Sequence, residues 1–155
     1  MIAAQQFVDR YYTGLSNAKE RATLASFYIQ PSPLNPIPAD ITLNGNIIPS
    51  PVDLQNLFLT TIGAAHYVAQ SFDCHVLNPD YNIGADDASL APNVTGKKMS
   101  LALVVSGYVK YGELKEAKMR GFTENFVLVP NFQAAIGGTN APKWLIQSQN
   151  FRLVH

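Results

Sequence analysis

Residues 97–112 read KKMSLALVVSGYVKYG, and the pattern is not that of a half-buried strand. Such a strand alternates apolar and polar side chains, because successive Cβ atoms point to opposite faces. Here Leu101, Leu103 and Val105 take one face while Ala102 and Val104 take the other. Both faces are dry from Leu101 to Val105. The strand needs two covers, one from its own domain and one from elsewhere.

The stretches downstream repeat the problem. In GFTENFVLVP, 121–130, Phe122, Phe126 and Leu128 share a side with Glu124, and Thr123, Asn125, Val127 and Val129 share the other. Strict period two in KWLIQSQNFRLVH, 143–155, sets Leu145, Phe151 and Leu153 against Trp144, Ile146, Ser148, Asn150 and Arg152. One face of the resulting sheet is aromatic and aliphatic and suits a core. The other combines Ala102, Val104, Ser106, Thr123, Asn125, Val127, Trp144, Ile146, Ser148, Asn150 and Arg152. An apolar centre ringed by hydrogen-bonding groups and an arginine is the composition of a protein interface. These residues are the expected contact with a partner; the plainer alternative is a moderately apolar exposed sheet.

The first half of the chain supplies the inner cover. Ala4, Phe7, Val8, Tyr11 and Leu15 recur at helical spacing over 3–15. Asn17 and Glu20 form a capping box for a second helix, which carries Leu24, Phe27 and Tyr28 and stops before Pro31. The prolines of 31–38 impose an extended connector. ITLNGNII, 41–48, predicts a hairpin turning on Asn44-Gly45. Ser50, Pro51 and Asp53 open a third helix with Leu54, Leu57, Phe58, Thr61 and Ile62 as its buried stripe. A long strand over 67–77 and a loop over 78–96 follow. Helices first and a long antiparallel sheet afterwards give a single α+β domain over 1–155.

Bulk properties narrow the function. Lysine plus arginine equals aspartate plus glutamate, 11 each, and charged residues make up 14 % of the 155, against roughly 25 % in ordinary domains. A neutral chain offers nucleic acid no electrostatic footprint, so autonomous binding to it is not expected. Cys74, the sole cysteine, excludes an internal disulfide and fits a reducing compartment. No apolar run reaches the roughly 18 residues of a membrane helix, and the polar N-terminus does not read as a signal peptide; a soluble intracellular protein without membrane contact is expected. His66, His75, His155 and Cys74 lack metal-site spacing. Gly137-Gly138 lies between strands, not at a helix start where it would cradle phosphate. No metal or cofactor is expected.

In order along the chain, FVDRYYTGL (7–15), LNGNIIPSPVDLQNLF (43–58), FDC (72–74), LVVSGYVKYG (103–112), RGFTENFVL (120–128) and the closing Trp144 with Phe151-Arg152-Leu153 resemble one family. It is that of the nuclear transport factor 2-related export proteins, the small subunit of the heterodimeric mRNA export receptor. The segments 31–38 and 78–96 resemble loop expansions of its fungal members. The resemblance implies a cone of three helices on a strongly bent antiparallel sheet. It also implies a heterodimer formed through the sheet's outer face with the large receptor subunit, whose acidic residue would meet Arg152. The pair would carry messenger ribonucleoprotein through nuclear pores by contacts of the complex with Phe-Gly nucleoporins, residing in the nucleus and at the pore and shuttling to the cytoplasm. Any RNA contact of the complex would involve Lys97 and Lys98.

Two alternatives share the fold. A homodimeric carrier of Ran in its GDP form would need an acidic pair in the turn after Lys110, but YGELKEAKMRG, 111–121, interleaves Glu113 and Glu116 with Lys115 and Lys118. A small dehydratase or isomerase would need an acid or base inside the cone. Its candidates are Glu124, the tyrosines Tyr11, Tyr12 and Tyr28, and Asp73 with His75, which stand about 7 Å apart as i and i+2 neighbours. No spacing forces any pair of them together, so catalytic residues are not expected, and Glu124 reads as a structural, hydrogen-bonded carboxylate.

Overall fold

The computed structural model describes residues 2–33, 36–81, 98–112, 118–132 and 141–154. Helix α1, Ile2–Ser16, buries Ala4, Phe7, Val8, Tyr11 and Leu15, as the spacing requires. Asn17 then caps a short α2, Ala18–Arg21, its Oδ1 accepting from Lys19 N at 2.9 Å. The buried Arg21 donates from Nη1 to Leu15 O at 2.9 Å, answering a carbonyl left over at the end of α1.

The single second helix predicted from the pattern is divided. After Arg21 the chain makes a 3-10 turn, Leu24–Phe27. Thr23 Oγ1 donates to Glu20 O and Ser26 Oγ to Thr23 O, local bonds that compete with a continuing α-ladder. Leu24, Phe27 and Tyr28 are nonetheless all buried. The hairpin forms as predicted, β1 (Asp40–Leu43) and β2 (Asn46–Ile48), with φ of 52° at Asn44 and 85° at Gly45. Helix α3, Pro51–Leu57, starts on Ser50, whose Oγ accepts from Asp53 N at 3.1 Å. Its last turn widens over Phe58–Ile62, where Gly63 N reaches back to Phe58 O. A π-turn fits more residues into each turn than an α-turn and so shifts the face that each of them takes. Thr61, expected in the buried stripe, is therefore rotated outward and exposed, while Leu54 and Phe58 remain buried.

The long strands are β3 (Ala65–Asn78), β4 (Ser100–Tyr111), β5 (Met119–Pro130) and β6 (Trp144–Val154). They join the hairpin in one sheet of order β2-β1-β6-β5-β4-β3. All ladders are antiparallel except β1 with β6, which runs parallel from Asp40 opposite Ser148 to Leu43 opposite Phe151. The long antiparallel sheet expected from the sequence forms over β3–β6, and the hairpin is added to its edge through this one parallel ladder. No tight turn joins β1 to β6, so nothing fixes their relative direction as a hairpin would.

The inner face packs on α1 and the 3-10 turn. Leu101, Leu103, Val105, Phe122, Phe126 and Leu128 are almost wholly buried there. Rings interlock across the layer: Phe7 stands edge-on to Phe126 at 5.2 Å, and Phe122 stacks on Phe151 at 5.3 Å. Ser16 Oγ accepts from Tyr67 N at 3.0 Å, tying the end of α1 to β3.

Among the described glycines, Gly107 stands nearest to another strand's backbone. It faces a β3 bulge between Ala69 and Ser71, and a Cβ on it would lie 2.0 Å from Val68 O. Gly107→Ala should therefore lower stability by about 2 kcal/mol through overpacking. Gly121→Ala, whose Cβ would meet the Val154 Cβ at 3.6 Å and Gly107 O at 3.9 Å, both ordinary contact distances, should stay near neutral. Urea midpoints of the two variants check this.

Candidate partner interface

Strand register lays the outer face out in rows. One row runs His75, Ala102, Val127, Ser148, Asp40; the next runs Asp73, Val104, Asn125, Asn150, Thr42; a third runs Ser71, Ser106, Thr123, Arg152. Val104 lies near the middle and is 43 % exposed, unusual for a valine flanked by strands on both sides. Ala102, Ser106, Thr123, Val127, Ser148 and Asn150 are half-buried, and Asn125 and Arg152 are exposed. Asn150 Oδ1 accepts from Thr42 Oγ1 at 2.9 Å, which fixes its amide on the surface.

Two expected members do not belong. Ile146 pairs with Leu128 and is fully buried; Trp144 pairs with Pro130 and is 8 % exposed, beside Phe7 and Phe27. Both lie on the inner side. The ladder passes from Val127 opposite Ser148 to Leu128 opposite Ile146, leaving Gln147 as an extra residue in β6. A bulge of one residue inverts the face of everything on its far side. Leu145 takes the outer position instead, opposite Val129.

A bulge also moves Asp73 and His75. The irregularity at Gln70 sends both to the outer face, where they are exposed. They do not lie inside the cone, so they are corrected as acid/base candidates there and become part of the surface rows. Lys98 is buried, with Nζ 3.0 Å from Asp80 Oδ1, which removes it as an exposed RNA contact. Lys97, Glu113, Lys115, Glu116, Gly137, Gly138, His155 and most of 78–96 lie outside the described residues.

Inside the cone a cluster of polar groups is enclosed. Glu124 is 1 % exposed, with Oε1 accepting from Tyr12 Oη at 2.7 Å and Oε2 accepting from Gln149 Nε2. Gln149 also donates to Tyr11 Oη at 2.8 Å and accepts from Tyr28 Oη at 2.5 Å. Tyr11 and Tyr28 hydroxyls stand 3.2 Å apart. Burial pushes the Glu124 carboxyl up to about 7, against the pull of its bonds to Tyr12 and Gln149. Burial likewise pushes the Tyr11 and Tyr12 hydroxyls up, so both are neutral donors. Two clefts open elsewhere. One, of about 410 Å³, is lined by Leu57, Phe58, Tyr67, Tyr111 and Phe151; the other, of about 220 Å³, by Phe7, Arg10, Phe27 and Trp144 among others. Glu124 lines neither.

Solved structures share this arrangement over the whole chain. A chain of the Chaetomium thermophilum Mex67 NTF2-like domain complexed with Mtr2 superposes with a TM-score of 0.83 at 29 % identity, covering 99 % of this chain and 97 % of that one. A structure of Mtr2 gives 0.81 at 27 %, covering 99 % and 98 %. The chain has the nuclear transport factor 2-like fold. A third neighbour, from the Sac3N peptide bound to Mex67:Mtr2, gives 0.81 at 28 %, covering 99 % and 98 %. The protein matched at this level is Mtr2, the small subunit of the Mex67:Mtr2 mRNA export receptor. Aln2 from a Streptomyces species, at 12 % identity and a TM-score of 0.59 over 98 % of this chain and 89 % of that one, shares the fold alone. No protein-family model matches the sequence, and neither does any curated protein.

Proposed function

We propose that the chain is the non-enzymatic small subunit of an mRNA export receptor, pairing through the outer sheet face with the NTF2-like domain of the large subunit. The observation that carries this reading is the likeness to Mtr2 at 27–29 % identity and TM-scores of 0.81–0.83 over nearly the full length of each chain, two of the three neighbours coming from structures with Mex67. The outer rows supply the surface: Val104, Ala102 and Val127 as an apolar centre, with Ser106, Thr123, Asn125, Ser148, Asn150 and Arg152 around it. Leu145 joins that surface, and Trp144 and Ile146 leave it. Phe-Gly nucleoporins and messenger ribonucleoprotein are engaged by the pair, at the nuclear pore and in shuttling between nucleus and cytoplasm.

The non-catalytic reading is supported by the state of Glu124. Both its oxygens are taken by Tyr12 and Gln149, and it borders neither cleft, so a substrate would have to displace core bonds to reach it. Co-expression with a Mex67-type NTF2-like domain, followed by light scattering, should give a one-to-one complex. A homodimer that ignores that domain, or GDP-dependent capture of Ran, would overturn the proposal. Arg152 is exposed at the end of its row, where its planar guanidinium suits a carboxylate of the partner. Arg152→Glu should weaken the heterodimer by about tenfold, chiefly through a rim charge reversal. Titration calorimetry reads that change.

A further inference from the structure

We propose that the large-subunit domain, once paired through the outer face as proposed above, seats one large apolar side chain in a notch over Gly121. The notch acquires this occupant only if that pairing holds. Register carries the outer face past the row of Ser106, Thr123 and Arg152. A fourth row runs Val68, Tyr108, Gly121, Val154, and Met119 precedes Gly121 on the same side of β5. Val154 is 52 % exposed and Met119 is 60 % exposed, while Val68, Tyr108 and Gly121 are half-buried. The row thus presents open apolar surface, continuous with the rows already assigned to the partner.

Neither a bulge, nor φ, nor crowding calls for a glycine at this position. Glycine weakens a strand interior, and it suits bulges, left-handed backbone, or places where a group of another molecule comes close. The β4 ladder runs through Gly121 unbroken, and its pairing with Val154 is in register with the pairs that follow. Its φ is not left-handed, unlike those of Gly45, Gly63 and Gly112. A Cβ on it would make only ordinary contacts, with Val154 Cβ and Gly107 O. No atom of Tyr108 comes within 4 Å of that point, so the neighbouring ring does not fill the space. Close approach from outside is the use that fits. Sheets packed face to face stand about 10 Å apart, with side chains of both filling the gap. Opposite a glycine, the facing side chain must reach further or leave a void. The floor is backbone flanked by strands on both sides, and the walls are Tyr108, Val154 and Met119. An occupant the size of leucine, methionine or phenylalanine matches both.

Met119 is one of three methionines, and its isotope-labelled methyl group reports on the notch. Adding a Mex67-type NTF2-like domain to the full chain should shift the Met119 methyl resonance as the one-to-one complex forms. Gly121→Phe fills the notch on a strand face where an aromatic side chain is well tolerated. Its urea midpoint should be no lower than that of Gly121→Ala, and calorimetry should show pairing weaker by about tenfold or more. Gly121→Ala should pair about as tightly as the parent chain. Val154→Asp, at an exposed position, sets a carboxylate on the wall and should also cost about tenfold or more; it carries the test if Gly121→Phe does not fold. Full-affinity pairing of a folded Gly121→Phe or of Val154→Asp, or a Met119 methyl unmoved by complex formation, would overturn the notch and leave the pairing standing. Failure of the parent chain to pair at all would remove the pairing, and the notch with it.

Discussion

Val104→Asp should weaken the heterodimer at least about 100-fold while leaving the chain folded. The valine is 43 % exposed and projects from the outer face, between Asp73 on β3 and Asn125 on β5. Its inner neighbours Leu103 and Val105 are fully buried and are not altered by the change. In the free chain the new carboxylate stays in water. Its only cost there is a second acid opposite Asp73, at most about 1 kcal/mol for a cross-strand like-charge pair. On pairing it is buried in an apolar centre with no partner, which costs several kcal/mol unless it is protonated. A 100-fold loss is only about 2.7 kcal/mol, so the estimate is conservative. Val104→Asn, polar without charge, should fall between, and Val104→Ala should lose little. Calorimetry with the large-subunit domain, alongside circular dichroism, separates binding from folding. A folded Val104→Asp chain that pairs at full affinity would remove the outer face from the interface.

The faces of β4 were legible because the strand carries its doubled apolar pattern through an unbroken ladder with β5, from Leu101 opposite Leu128 to Lys110 opposite Met119. Bulges defeated the same reasoning elsewhere. Nothing in KWLIQSQNFRLVH announces that Gln147 is an extra residue, so period two carried Trp144 and Ile146 to the wrong side. Gln70 did the same to Asp73 and His75: counted in twos from the buried Tyr67 they fall inside, and after the bulge they fall outside. The buried Glu124 was readable as a lone acid among Phe122, Phe126 and Leu128. Its partner Gln149 shares the Phe151 face by period two, but nothing in the sequence singled it out as the side chain that reaches the carboxylate. Helix starts were legible from Asn17 and Ser50, whose caps form as their chemistry requires. Helix ends were less so, since Thr23 and Ser26 bond the backbone locally and Phe58–Ile62 widens.

Between about pH 4.5 and pH 7 the chain should lose stability relative to Glu124→Gln, by about 3 kcal/mol in all. The folded state raises the Glu124 carboxyl from 4.5 to about 7 through burial, so it holds a proton that the unfolded chain releases over that interval. Stability falls with rising pH wherever the folded state binds more protons. Below about 4.5 both states are protonated and the contribution is complete; above about 7 both are ionised and it is gone. The interval of about 2.5 units at about 1.4 kcal/mol per unit gives the magnitude. Glutamine preserves the length of the side chain, can accept from Gln149 Nε2 and can donate to the Tyr12 hydroxyl, the two groups that Glu124 engages. It has no proton to lose. Urea midpoints followed across the interval should therefore diverge steadily, the variant becoming the more stable chain as the pH rises. Parallel curves would mean that Glu124 is ionised throughout, and that the enclosed Tyr12–Glu124–Gln149 cluster tolerates a buried charge at no cost to the fold.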